Sequence, residues 1–238
     1  MVFTPYGDKA ILINFEQEIS LEINAKVIAL NYLIEAASLN AIQYCIPAYC
    51  SLTVCYNPLL TSYNELCESI KSLSTNSVTE EHKTTQRTLH IPICYDEPYS
   101  LDFKDLTEQT KLEKKEIIAL HTKTKFRVYM LGFMPGFAYM GKLPEPLFCN
   151  RKTNPRLDIP AGSLGLAGLQ TGIYPIKSPG GWQIIGRTPI PVINIQKNQS
   201  FLFNTGDNVC FEAISSSSFL NIQKDISSNQ FNWGNIYD

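Results

Sequence analysis

At 238 residues, with 44% hydrophobic and 18% charged residues, the chain has the composition of a soluble globular protein, large enough for one big domain or two modest ones. A count of 20 basic against 22 acidic residues leaves a net charge of −2, so no global field recruits nucleic acid or anionic lipid. The seven cysteines are odd in number and irregularly spaced, with no CxxC pair; this argues against a disulfide framework or metal knuckle and for free thiols in a reducing compartment.

The N-terminus carries no basic segment followed by an apolar one, and no apolar run approaches the ~20 residues that span a bilayer, so a cytoplasmic location is expected. Ala10 to Phe15 predicts a strand with Ile11, Ile13 and Phe15 on one face. Ser20 caps a helix in which Ile23, Val27, Leu30, Ile34 and Ala37 recur at helical spacing. Ile42, Tyr44 and Ile46 alternate up to Pro47, and Leu52, Val54 and Tyr56 form another strand. Ser62 and Glu65 make a capping box for a helix carrying Leu66, Ile70 and Leu73. This order predicts an α+β sandwich with helices on one sheet face. Ser72 to Gln86 lacks apolar periodicity and is the linker candidate between a domain at 1–80 and a second at 87–238.

Leu89, Ile91, Ile93 and Tyr95 alternate along the next strand. Two short helices follow, and Thr110 with Glu113 marks a capping box for the second, which ends near His121. Beyond Lys125 the grammar changes: ten of the thirteen glycines lie between Gly132 and Gly186. That density predicts short strands joined by tight turns, as in a β-barrel or closed sandwich. Gly206-Asp207 predicts one more hairpin turn before Val209 and Phe211, and a last helix is placed near Phe219 to Ile226.

Several catalytic patterns fail on inspection. Gly136 to Leu143 spells a phosphate loop except at its last position, where Leu143 cannot bind magnesium, and Pro144 and Pro146 block the helix that should follow. Ala161-Gly162-Ser163-Leu164-Gly165 imitates a nucleophile elbow, yet His82, His90 and His121 all lie upstream of the serine. Gly162, Gly165 and Gly168 lack the dinucleotide spacing and serve equally well as positive-φ or close-packing positions. His121 at a helix end suits a capping role, favoured by spacing, or an acid–base or phosphate-contacting role. Arg156 is open to two readings, a structural pair with Asp158 or a clamp on a carboxylate or phosphate.

The run from Gly132 to Met140, GFMPGFAYM, resembles the GFxPGFxYL signature of the 5-oxoprolinase B-type family, also described as allophanate-hydrolase subunit 1 or the sporulation-kinase inhibitor family. Pro155-Arg156, Pro160 to Ser163, Gln170 to Pro175 and Ser178 to Pro189 match in order, and His121 stands where the family has its histidine. Phe126 replaces the more usual tyrosine.

The resemblance implies an α+β fold, with a ferredoxin-like N-terminal sandwich followed by a cyclophilin-like β-barrel. It implies a hydrolase subunit, inactive alone, that opens the lactam 5-oxoproline to glutamate with ATP and Mg2+, no covalently bound cofactor and no metal of its own. The implied partners are a C-type subunit, similar to allophanate-hydrolase subunit 2, and an A-type protein; neither nucleic acid nor membrane is expected. From their places in the motif blocks, His121 is expected to handle a proton, Arg156 to hold an anionic oxygen, and Gln170 to orient the ring. Gly162, Ser163, Tyr174 and Arg187 are expected to bind substrate. The competing readings are a histidine-kinase inhibitor, which needs only a surface, and a carboxyltransferase-like module that borrows a biotin carrier.

Overall fold

The computed structural model describes residues 1–76, 87–194 and 200–237, and divides into two compact units, Met1–Thr85 and Gln86–Asp238. The first unit runs β1 (Val2–Pro5), β2 (Ala10–Asn14), α1 (Leu21–Ala37), β3 (Ile42–Pro47), β4 (Ser51–Tyr56) and α2 (Tyr63–Asn76). Its antiparallel sheet has the order β1-β2-β4-β3. Ile11 and Ile13 of β2 and Leu52, Val54 and Tyr56 of β4 alternate onto one face, where they bury Val27, Leu30 and Ile34 of α1 and Leu66 and Ile70 of α2. Each such side chain contributes about 1.5–3 kcal/mol by leaving water. Ser20 caps α1, and the Ser62–Glu65 capping box opens α2, with Glu65 accepting from the Ser62 N–H at 2.9 Å.

Three local expectations change in this unit. A strand at Val2–Pro5, too short to read from its sequence, pairs with β2 and places Phe3 opposite Ile13. In β3 a bulge falls between Ile42 and Tyr44, so the inward alternation passes to Cys45 and leaves Tyr44 and Ile46 exposed. Ser72 to Asn76, read as linker, belongs to α2, and residues 77–86 lie outside the described residues.

The second unit contains β5 (Thr88–Cys94), α3 (Phe103–Thr110), α4 (Lys114–Lys123), β6 (Lys125–Leu131), β7 (Ala138–Gly141), β8 (Arg156–Ile159), β9 (Ser163–Ala167), β10 (Gln170–Ile173), β11 (Ser178–Gly180), β12 (Gln183–Arg187), β13 (Ile193–Asn194), β14 (Ser200–Phe201), β15 (Asn208–Ile214) and α5 (Ser216–Ser227). Seven strands close into a barrel in the order β10-β7-β6-β15-β5-β12-β9. Leu89, Ile91, Val128, Met140, Leu164, Leu166 and Ile185 fill one core, with α3 contributing Leu106 and α4 Ile117. The stretch imitating a phosphate loop is the β6–β7 turn and β7 itself, paired with both β6 and β10.

The α4 capping box sits three residues later than Thr110 predicts. Glu116 accepts from the Glu113 N–H at 2.7 Å, while the Thr110 hydroxyl turns back onto the Leu106 carbonyl at the end of α3. Gly206-Asp207 is a turn but not a hairpin: β15 pairs with the sequence-distant β5 (parallel) and β6 (antiparallel), while β14, which precedes the turn, pairs with β13. Arg87 fastens that turn by donating from Nε to Asp207 at 3.0 Å. All seven cysteines are free, and among the described residues no helix is long and apolar enough to cross a membrane.

Candidate functional site

The three neighbouring strands β10, β9 and β12 form a wall with two faces, and side-chain parity decides which residues can meet. Leu164, Leu166 and Ile173 point into the main core, together with Thr171, which reaches His121. Gly165, Ala167 and Gly172 alternate to the other face. There Phe137, Ala167, Tyr174, Trp182 and Ile184 build a second apolar cluster with Tyr139 against it.

Ser163, Tyr174 and Arg187 share that second face. Arg187 is the direct cross-strand partner of Ser163, and the Tyr174 N–H donates to the Ser163 carbonyl at 2.9 Å. Gly162 ties the group together: its N–H donates to the Tyr174 carbonyl at 2.7 Å, and its carbonyl accepts from the Thr188 N–H at 2.9 Å. Gly162 has φ +80°, and an added Cβ would lie 2.6 Å from the Thr188 oxygen, so glycine is required both for conformation and for space. Burial pushes the Tyr174 phenol up to about 12, although the Trp182 backbone bond and the nearby Arg151 charge work against this.

Arg187 is half-buried and donates from Nε to the Ala161 carbonyl at 2.7 Å. Among the described residues no carboxylate lies within ion-pairing reach of it. Burial draws its guanidinium below the ordinary value, opposed only by the Tyr99 phenol.

Gln170 lies on the same face but at the other end of the hairpin. It pairs with Ala167, four residues from Ser163, which is about 13 Å along a strand. The sequence-expected set is therefore spread along the wall.

His121 is on the opposite face and fully buried. It stacks between Phe211 at 4.8 Å and Phe126 at 5.0 Å, the latter filling the position where tyrosine is usual. The Tyr95 hydroxyl lies 3.0 Å from Nδ1, and Thr171 Oγ1 lies 3.2 Å from Nε2. Because the Thr171 hydroxyl donates its one proton to the Gly165 carbonyl at 3.2 Å, it accepts from His121. Nε2 therefore carries the imidazole proton, and Nδ1 accepts from Tyr95. Burial lowers the His121 pKa to about 3, so the ring is neutral at physiological pH.

Arg156 begins β8, and its partner is not Asp158. Nη1 and Nη2 grip the two carboxylate oxygens of Asp102 at 2.6 and 2.7 Å. Asp158 pairs instead with Lys177 at 3.1 Å, on the surface. Asp102 also accepts from Lys152 at 2.8 Å and from the Ile184 N–H at 2.7 Å, which joins the ion cluster to β12. Burial alone would raise the Asp102 carboxyl; Arg156, Lys152 and the Ile184 N–H overcome it and hold the group below the ordinary value. Sequence reasoning missed this residue. Its place just before α3 reads as an N-cap, yet the side chain makes no capping bond and reaches partners some fifty residues away.

Beside this cluster opens a cavity of ≈ 540 Å3 between α3, which contributes Asp105 and Glu108, and residues 150–154. Gln183 closes one wall by donating from Nε2 to the Asn150 carbonyl at 3.0 Å. Among the described residues no group of three or more His, Cys, Asp or Glu side chains is placed to hold a metal ion.

Residues 1–203 match the family described as carboxyltransferase domain, subdomain C and D. The chain is 38% identical over 219 residues to the B-type subunit of 5-oxoprolinase from Bacillus subtilis (strain 168), covering 88% of this chain and 91% of that protein. The crystal structure of TTHA0988 superposes with a TM-score of 0.77 at 31% identity; 88% of this chain is covered, but only 40% of that longer one. The K. lactis urea amidolyase structure, at 16% identity and a TM-score of 0.80, shares the fold over 97% of this chain and 16% of its own length. The chain belongs to the carboxyltransferase subdomain C and D family, in the branch that contains the B-type 5-oxoprolinase subunits.

Proposed function

We propose that the chain acts as one subunit of an ATP-dependent 5-oxoprolinase, opening 5-oxoproline to glutamate with a C-type subunit and an A-type protein. The single observation that carries this reading is the near full-length likeness to the B. subtilis protein. Ring opening of an unstrained lactam needs a better electrophile than an amide. Transfer of the ATP γ-phosphoryl group to the lactam oxygen supplies it and releases ADP. Water then adds to the activated carbon and the ring nitrogen departs as the amine, leaving an acyl phosphate, which a second water hydrolyses to the carboxylate of glutamate and free phosphate.

Within this chain, Gly162, Ser163, Tyr174 and Arg187 form the substrate-facing part of the site, because they share one face and one hydrogen-bonded frame. Gln170 contacts a more distant part of the assembled site. His121 acts as a positioning residue: its neutral ring holds Thr171, and through it the β9–β10 hairpin, from the opposite face. Arg156 likewise positions β12 through Asp102. ATP with Mg2+ is a co-substrate of the assembly, which is cytoplasmic on this reading, and the isolated chain does not turn over. The N-terminal unit suits a ferredoxin-like arrangement in which the fourth strand precedes the first rather than following the second helix, and the barrel suits the cyclophilin-like type.

The test is 5-oxoproline-dependent ADP release by the three proteins together and with each omitted in turn. Release that needs all three supports the reading; undiminished release without this chain rules it out. A second reading, a carboxyltransferase module supplied by a biotin carrier, is favoured by the family description itself. It predicts a biotinylated companion that co-purifies with the chain.

A further inference from the structure

We propose that Arg187, not Arg156, is the residue that binds the substrate's carboxylate, with the two η nitrogens of its guanidinium forming an open fork on the face shared with Ser163 and Tyr174. The inference rests on the lactam reading of the site and names the part of the substrate that this chain holds.

The two arginines differ in what their forks already grip. In Arg156, Nη1 and Nη2 both bond Asp102, whose own side chain is 1% exposed. That pair is complete, and a second anion there would meet a neutralised cation beside an existing carboxylate. In Arg187 only Nε is engaged, to the carbonyl of Ala161. A backbone oxygen offers no net charge, so the guanidinium remains uncompensated in a half-buried setting. Guanidinium groups in such settings bind carboxylates bidentately through parallel N–H donors, and the engaged Nε fixes the plane of the fork in advance.

A hydroxyl and an apolar cluster lie on the same face as Arg187, the chemistry that suits a small ring carrying one carboxylate. Ser163 faces Arg187 directly across the ladder. On that face Tyr174, Trp182 and Ile184 pack into an apolar cluster, a setting in which an unpaired anion would not rest without a cation. The backbone amides of Gly162 and Tyr174 are spent on the frame; of the two cations near this face, Arg151 is exposed and acts on the phenols of Tyr139 and Tyr174, whereas Arg187 is half-buried and held in orientation by the Ala161 carbonyl. The carboxylate sits on the ring carbon next to the lactam nitrogen, so its capture orients the bond that breaks without itself taking part in the bond changes.

The experiment compares 5-oxoproline with its neutral carboxamide in the complete three-protein assembly, using wild type, Arg187→Gln and Arg187→Lys. Losing a charge-assisted pair should cut kcat/KM for the acid about 10- to 100-fold, chiefly through KM, while the carboxamide changes by no more than about 3-fold. Arg187→Lys should fall between. Equal losses for both compounds, or no loss for the acid, would overturn the assignment. If wild type releases ADP with neither compound, the enzyme reading fails by itself. Arg187 is then decided on the full chain, by its Nε–H NMR signal during titration with 5-oxoproline and with the carboxamide. A shift with the acid alone upholds the fork, and no shift with the acid rejects it.

Discussion

Asp102 receives both η nitrogens of Arg156 while its backbone N–H donates to the Ile184 carbonyl and its side chain accepts the Ile184 N–H, so one residue locks the start of α3, β8 and β12 together. Removing one member of so buried a pair leaves an uncompensated charge. Asp102→Asn should therefore destabilise the chain by about 3–5 kcal/mol, read from urea unfolding. A cost under about 1 kcal/mol would mean that the cluster is ornamental. Because the folded carboxyl titrates below its ordinary value, its contribution is present above the unfolded value and is lost as pH falls through the folded one. The wild-type advantage over the variant should accordingly shrink on acidification below about pH 4.

The buried imidazole sets a second pH dependence. The unfolded chain takes up a proton on His121 near pH 6.5, whereas the folded ring resists protonation down to about pH 3. Stability is complete above the upper value and falls as pH drops through the window. His121→Asn should show a stability–pH slope shallower than wild type by up to about 1.4 kcal/mol per pH unit between those limits. Identical slopes would place the His121 ring in contact with water.

Gly162 and Gly168 separate conformation from space. Both have positive φ, but an added Cβ at Gly168 meets nothing within 4 Å, whereas at Gly162 it meets the Thr188 oxygen at 2.6 Å. Gly168→Ala should cost about 1 kcal/mol of left-handed strain. Gly162→Ala should cost that and more, about 2–3 kcal/mol, and should shift the Arg187 and Tyr174 signals in NMR spectra. Equal thermal shifts for the two variants would contradict the close approach.

The bulge in β3 makes a plain forecast for the first unit. Ile46→Thr should change stability by no more than about 0.5 kcal/mol, because Ile46 is exposed. Leu52→Ala, on the adjoining strand but buried, should cost about 2–5 kcal/mol. Chemical denaturation of the two variants side by side distinguishes this register from one in which Ile46 faces the core.

Local chemistry was legible where period and cap decide the outcome. The apolar spacing of α1, the Ser62–Glu65 box and the alternation through Leu89, Ile91 and Ile93 all lie where the sequence puts them. What failed needed partners distant in the chain. Alternation in Ile42, Tyr44 and Ile46 looks unbroken until pairing with β4 shifts it through a bulge. Asp158, two residues from Arg156, was the natural partner by proximity, yet Asp102 wins because β12 and α3 bring it within reach of both η nitrogens. The motif blocks hold Gly162, Ser163, Tyr174 and Arg187, which the fold brings into one hydrogen-bonded frame. Only the one-residue parity between Gln170 and Thr171 shows that His121 approaches the wall from behind.

Following 13C-labelled 5-oxoproline by NMR in a mixture of this chain, the proposed C-type and A-type companions, ATP and Mg2+ tests the lactamase-subunit reading most directly. Labelled glutamate should appear in step with ADP in the complete mixture and not at all when this chain is left out. Glutamate formed at the same rate without the chain, or a complete and correctly assembled mixture that leaves the lactam untouched, would contradict it.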